Sequence, residues 1–423
     1  MTDGAAKGVG GSIDFAGLIR AGDCIAWGGA AVEPVGLVAQ LSAALERLPP
    51  CIGFANVGLT TALDPAKVAG RMRLRAVGGA STNRRFQESG ALDVLPVHYG
   101  SLPDVVRDGL LRLDVVLVSL AADGAGYNFG AQVDYLADAI PLARVVIAEI
   151  NDQAPVTFGE TAVAADDVDH VVHVSRKLVE MRAGKPGAVE AAIGAHVARL
   201  VPDGATIQVG LGLLPDAVLQ ALAGKRDLGL HTGTMGDCAV DLIEAGVITN
   251  RRKPVDTGRS ITAGLLGSER SYRFAHRNPT LHLRSPRYTH DYLVHAQIPC
   301  LIGINSALEV DLTGQINAEV GDGRHLGMIG GHADFSRGCM RSKGGRGIVA
   351  MESTAKGGTR SRIVARLGDG VVTTSRADAD IVVTEHGVAE LRGRTVSERA
   401  KSLIAIAQPS FRRELERAAE RLV

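Results

Sequence analysis

The stretch Asp203–Asp237, DGATIQVGLGLLPDAVLQALAGKRDLGLHTGTMGD, constrains the fold of this 423-residue chain more than any other. ATIQV, bounded by Pro202-Asp203-Gly204, reads as a short buried strand. Gly210 and Gly212 then turn the backbone tightly and leave amide N–H groups bare. Pro215 and Asp216 fall in the first turn of the helix that follows, where a missing N–H costs little and a carboxylate suits the dipole. Bare amides at a helix N-terminus offer a site for a phosphate, a carboxylate or a developing oxyanion. The glycine pair alone is equally consistent with an empty strand-to-helix turn.

The same order of parts occurs a second time. DCIAWGGAAVEPVGLVAQLSAALERL (Asp23–Leu48) gives a strand, the Gly28-Gly29 turn, Pro34 and an amphipathic helix. LDVVLVSLAADGAGYNFG (Leu113–Gly130) matches PCLIGINSALEVDLTGQIN (Pro299–Asn317). RVVIAEINDQAP followed by DHVVHVS has its counterpart in RGIVAMEST followed by SRIVARL and DIVVTEHG. Short apolar strands alternating with helical segments predict two tandem α/β domains of similar topology, with mainly parallel sheets covered by helices. The Pro/Gly punctuation of RAGKPG (Arg182–Gly187) sets the seam, giving domains over 1–185 and 186–423. Ligands of such sheets bind at the carboxyl ends of strands, so the active site is expected between the two domains. Residues 1–12, small and polar, are expected to be disordered. The C-terminal run from Val396 should form two helices broken at Pro409.

Lys+Arg and Asp+Glu balance at 46 each, so no field favours nucleic acid or a membrane surface. Five scattered cysteines without CxxC spacing argue for reduced thiols in a cytoplasm, against a disulfide frame or a zinc site. No signal pattern or membrane-length apolar run is present in the sequence, which also points to the cytoplasm.

Several residues have the chemistry of a site. His332, in IGGHADFSRGC, follows Gly330-Gly331, read as an exposed-amide turn after an apolar strand, with Asp334 placed to orient the imidazole. Ser342-Lys343-Gly344-Gly345 puts a cation beside glycines whose amides can approach an anion, a phosphate-contacting pattern that is also that of a solvated turn. Glu309 and Asp311 share one strand face, but no third ligand stands at metal spacing, so a structural role with Glu309 on backbone amides competes with acid/base work and no metal is expected. His231, Thr232 and Thr234 end the strand LGLHTG, where catalytic groups of α/β sheets sit. Asp237 is expected as an N-cap. Cys238, in the first helical turn, is either an activated thiol or, more commonly, a buried one.

Along nearly its whole length the chain resembles the acetyl-CoA hydrolase/transferase family, in particular the 4-hydroxybutyrate CoA-transferase branch of the class I CoA-transferases. The resemblance rests on LPVHYGSLP, GYNFG, VIAEIND, QVGLGLLPDAVLQAL, DLIEAGVITN, INSALEVDLTGQINAE, GGHADFSRGCMRSKGG and VVTTSRADADIVVTEHGVAELRGRT. It implies two tandem α/β domains, an acyl-CoA substrate and a homodimer. It also implies a mechanism in which a glutamate attacks the thioester, giving an anhydride and then a glutamyl-CoA. By the same resemblance, Gly210-Leu211-Gly212 and Gly330-Gly331 with His332 hold oxyanion and thioester, while Ser342, Lys343, Gly344 and Gly345 face CoA.

The sequence departs from the family at the nucleophile. The family reads His-Ser-Glu-Met before an x-Ser-Asp-Gly turn. This chain reads His231-Thr232-Gly233-Thr234-Met235-Gly236-Asp237-Cys238, with no gap between LGLH and DLIEAGVITN. Gly233 thus stands at the glutamate position and offers no nucleophile. The expectation is direct acyl transfer to water or to a carboxylate, amine or hydroxyl acceptor, with His231 or His332 as base if its pKa lies near neutrality. A conventional CoA-transferase with a substitute nucleophile, Glu309 first and Cys238 second, is the alternative, as is a non-catalytic acyl-CoA-binding protein. Aromatic residues make up 4% of the chain and none clusters beside the proposed site, which favours a small or polar acyl group.

Overall fold

The structure, a computed structural model, describes residues 11–368 and 370–422. Most of the N-terminal segment expected to be disordered, residues 1–10, lies outside that range. Two compact units are present. Among the described residues, the first comprises 11–97, 101–181 and 263–287, and the second 98–100, 182–262 and the residues from 288 to 422. The main break at 181/182 adjoins the seam expected from RAGKPG. The segments 98–100 and 263–287 belong to the unit opposite the one that sequence order assigns them.

Unit 1 contains strands β1 (Cys24–Trp27), β2 (Cys51–Ala55), β3 (Met72–Ala76), β4 (Leu92–Val94), β5 (Val115–Asp123), β6 (Val145–Asn151) and β7 (His170–Val174). They lie in the order β7-β6-β5-β1-β2-β3-β4, and every pair is parallel. Helix α1 (Val35–Ala44) follows the Gly28-Gly29 turn. Its Leu37, Val38 and Leu41 pack with Ile25, Leu117 and Ile147 of the sheet in the core.

Unit 2 repeats the plan. Helix α2 (Ala188–Leu200) precedes β8 (Thr206–Val209), which leads through the glycine turn to α3 (Leu213–Ala221), β9 (Gly229–Met235) and α4 (Asp237–Glu244). After α5 (Tyr292–Ala296) come β10 (Leu301–Ser306), β11 (Glu309–Asp311), α6 (His332–Arg341), β12 (Arg346–Ala350), β13 (Ile381–Thr384) and β14 (Gly387–Glu390). The sheet order is β14-β13-β12-β10-β8-β9, parallel except for the β13–β14 hairpin. The order β7-β6-β5-β1-β2 of unit 1 therefore recurs as β13-β12-β10-β8-β9, the topology the internal repeat predicts. Buried at nearly every position, β1, β5, β6 and β13 are the near-continuous apolar runs that parallel sheets require. Two further helices, α7 (Val396–Ala405) and α8 (Pro409–Ala419), close the chain. Pro409 opens α8, where its missing N–H has no partner to lose. Leu403, Ile404 and Leu415 of this pair bury against Val349, Val382 and Leu391.

Candidate active site

The chemistry-bearing residues of unit 2 gather where β8, β9 and the start of α6 meet. Gly212 caps α3 with φ +124°, a conformation other residues rarely adopt, and Pro215 and Asp216 lie in the first turn as expected. β9 runs further than LGLHTG suggests: His231 is fully buried inside it and the strand continues to Met235. Thr232 Oγ1 donates to the carbonyl of Val209 (3.1 Å), tying β9 to the residue before Gly210. Gly236, extended, takes the cap of α4, so Asp237 is the first helical residue rather than the cap, still favourable to the dipole.

The space at Gly233 is filled by an imidazole that the sequence did not single out. A β-carbon built on Gly233 would lie 2.8 Å from Nε2 of His290. One on Gly331 would lie 2.6 Å from the same nitrogen, and one on Gly100 would lie 2.8 Å from the His290 β-carbon. Glycine at three positions, on three separate segments, thus makes room for one ring. The ring packs against Phe335 (centroids 4.9 Å) and Tyr99 (5.3 Å). Its Nδ1 is 2.9 Å from Thr289 Oγ1.

Two more buried histidines continue the cluster. His295 stacks on Phe335 at 4.7 Å, lies edge-on to His231 at 5.4 Å and bonds the Thr289 carbonyl through Nε2 (2.8 Å). Tyr288 lies 5.9 Å from His231. Tyr99, Tyr288 and Phe335 therefore gather aromatic rings at a place where no aromatic cluster was expected.

His332 begins α6. Its Nδ1 bonds Thr374 Oγ1 (2.7 Å), and its Nε2 is buried without a hydrogen-bond partner. Asp334 does not orient this ring, because its carboxylate accepts from the Gly100 amide (3.1 Å). The segment before Gly330-Gly331 is a turn rather than an apolar strand. The turn is held by the Tyr99 amide, which donates to the Gly330 carbonyl (2.9 Å).

Burial keeps this cluster uncharged. It pushes His332 down to about 4. With His295 as a smaller cause, it pushes His290 to about 3. His295 itself falls to about 4. His231 is held well below the ordinary range by burial first and then by His295 and Lys253, against which the Thr289 carbonyl acts. The condition attached to His231 and His332 as bases, a pKa near neutrality, is not met in the free protein. Desolvation of the imidazolium outweighs every favourable contact.

The other candidates stand elsewhere. Glu309, in β11, forms an ion pair with Arg360 rather than bonding backbone amides. Its neighbour Asp311 takes that role, accepting from the amides of Thr313 and Gln315. Cys238 is buried and its thiol is pushed up to about 11, burial first and Asp216 second, the opposite of activation.

Ser342-Lys343-Gly344-Gly345 leaves the far end of α6, about 15 Å from Gly331 along a ten-residue helix. Ser342 Oγ accepts from the Leu301 amide (3.1 Å) and donates to the Ile298 carbonyl (2.6 Å). The Lys343 carbonyl accepts from the Cys300 amide (2.9 Å). The loop therefore sits at the amino ends of β10 and β12, as any helix-to-strand return in a parallel sheet must, while the glycine turns at Gly210–Gly212 and Gly330–Gly331 lie at the carboxyl ends. Gly344 has φ +75°, and Gly345 packs too closely on the Cys339 carbonyl for a β-carbon, so a fold-based reason accounts for both glycines.

Among the described residues no cluster of metal-ligating side chains occurs, and no helix is long and apolar enough to cross a membrane.

Comparison with known proteins supplies the chemistry. Family models described as the acetyl-CoA hydrolase/transferase N-terminal and C-terminal domains match residues 11–181 and 267–419. The chain is 40% identical over 342 residues to a 4-hydroxybutyrate coenzyme A transferase of Clostridium kluyveri, covering 80% of this chain and 79% of that protein. It is 35% identical over 413 residues to a succinyl-CoA:cyclohexane-1-carboxylate CoA transferase of Geobacter metallireducens, covering 97% and 94%. The solved structure of RipA from Yersinia pestis superposes with a TM-score of 0.91 at 32% identity, covering 96% and 95%. The fold and these relatives define an enzyme that transfers or hydrolyses a CoA thioester. The chain belongs to the acetyl-CoA hydrolase/transferase family.

Proposed function

We infer that this protein cleaves an acyl-CoA by passing the acyl group directly to an acceptor or to water, without a glutamyl-CoA intermediate. The observation that carries the inference is the filling of the space at Gly233 by the neutral His290 ring. The acceptor X–H attacks the thioester carbonyl carbon, the C–S bond breaks, and CoA leaves as the thiol after taking a proton. Gly210-Leu211-Gly212 and Gly330-Gly331 would supply amides for the oxyanion, and Nε2 of His332, buried without a hydrogen-bond partner, is free to bond a substrate group. Thr232 and Thr234 keep the end of β9 in register. Glu309, paired with Arg360, and Cys238, held as a thiol, are poorly suited to replace the nucleophile.

The test is free-thiol release from a panel of acyl-CoAs, with water alone and with carboxylate, amine and hydroxyl acceptors. Release in water supports hydrolysis, and release only with an acceptor supports transfer. A borohydride- or hydroxylamine-sensitive CoA adduct on the protein sinks the direct route. Binding without turnover identifies an acyl-CoA-binding protein instead.

A further inference from the structure

We propose that His290 is the catalytic base of this site and the residue that shuts out the covalent route, its Nε2 standing where the carboxylate side chain of a residue 233 would begin. The proposal rests on the direct-transfer reading above. Three glycines, Gly100, Gly233 and Gly331, border one ring, and a β-carbon at either of the last two would come within 2.8 Å of Nε2. Real contacts of that kind are essentially never so short, so a side chain at 233 or 331 would force the ring to shift from this place. Phe335 and Tyr99 pack around the imidazole.

Thr289 Oγ1 stands 2.9 Å from Nδ1. With Nδ1–H donating to that hydroxyl, Nε2 carries the lone pair. In the reaction Nε2 takes the proton of X–H as the X–C bond forms. The tetrahedral oxyanion then collapses, breaking C–S, and Nε2–H returns the proton to the CoA sulfur, leaving thiol and neutral imidazole. Burial leaves His290, at about 3, no nearer neutrality than His332 in the free protein, so its assignment rests on its position at Gly233 and not on its resting basicity. The oxyanion formed in the same step restores basicity when it is needed, since a nearby opposite charge favours the protonated ring.

Two variants test the assignment. His290→Gln keeps a side chain of similar reach but cannot accept a proton at that position, and His290→Ala opens the space. Thiol release from wild type with the best acyl-CoA should fall about a hundredfold or more in kcat in both, with KM little changed. Imidazole in the buffer should restore part of the His290→Ala rate. A His290→Gln enzyme within threefold of wild type overturns the proposal while leaving direct transfer standing; absence of thiol release from wild type removes both.

The packing is tested without turnover by thermal denaturation. Gly233→Ala should lower the melting temperature in wild type and have little effect in the His290→Ala background. Equal losses in the two backgrounds would show that the ring does not occupy the space at 233.

Discussion

Lowering the pH from 7 to 5 should reveal the buried, neutral His332 as a direct cost to stability. The free side chain titrates near 6.5, whereas burial holds the folded one at about 4. Between those values the unfolded chain binds the proton and the native chain does not, so stability is intact above 6.5 and lost as pH falls towards 4. At pH 5 the difference in proton binding corresponds to about 2 kcal/mol for this one ring, and at pH 7 to only about 0.2 kcal/mol. Other groups titrate in the same interval. Asp134, raised to about 7 by burial, works in the opposite sense and gains stability as pH falls. Subtracting a variant removes such terms. His332→Gln cannot titrate, so its deficit relative to wild type should shrink by about 2 kcal/mol between pH 7 and pH 5. Urea unfolding at each pH measures it. Circular dichroism is the suitable signal, because the one tryptophan, Trp27, lies in unit 1 and cannot report on His332. A deficit that is the same at both pH values refutes burial as the determinant of this imidazole's charge.

Glu309→Gln should leave thiol release within about threefold and cost no more than about 1 kcal/mol in urea unfolding, because its partner Arg360 is partly exposed and also pairs with Asp322. Lys343→Ala should leave KM for the acyl-CoA within about threefold in steady-state assays, since its loop leaves the opposite end of α6 from Gly331; a tenfold rise in KM would place CoA at that end. Gly212→Ala meets no atom within 4 Å but must adopt φ +124°, so it should cost about 1–3 kcal/mol of stability and lower kcat/KM by shifting the turn, without blocking the site.

The fold was legible because its signals are local. Apolar runs ended by glycine pairs mark the strands, and their recurrence predicted two units whose central strand orders agree. The helix break at Pro409 was equally readable. The exchange of 98–100 and 263–287 between units was not, since no local property records which sheet a segment joins. Of the residues assigned to the proposed site, Gly210 and Gly212 stand out because they follow a strand, and Gly233, inside β9, only through the family resemblance. His290 and His295 lie in THDYLVHAQ, where their one signal was two imidazoles in an otherwise ordinary loop and helix. Their meaning depends on Tyr99, Gly233, Gly331 and Phe335, separated by up to 236 positions and brought together by tertiary packing. Asp334 was misassigned for the same reason: its partner, Gly100, is 234 residues away.

The two copies of the glycine turn also differ in what the amides of the following helix contact. In unit 1 the helix after the turn, α1, begins with amides that already have an anion. Glu149, fully buried in β6, accepts from the amides of Gly36 (2.8 Å) and Leu37 (3.2 Å), and Arg176 holds its other oxygen. The carboxylate is the protein's own, so the positive end of α1 is neutralised within the fold. The equivalent helix of unit 2, α3, has no side-chain cap, and its Asp216 is engaged by the Gly184 amide. Glu149 thus engages the amides after the first turn, whereas no side-chain hydrogen bond caps α3 after the second. Replacing Glu149 should therefore destabilise unit 1 strongly, because removing one member of a buried charge pair leaves its partner uncompensated and typically costs about 3–5 kcal/mol. Trp27 fluorescence during unfolding of Glu149→Gln measures that loss within unit 1. A variant as stable as wild type would show that the α1 amides need no anion, and the contrast between the two turns would lose its physical basis.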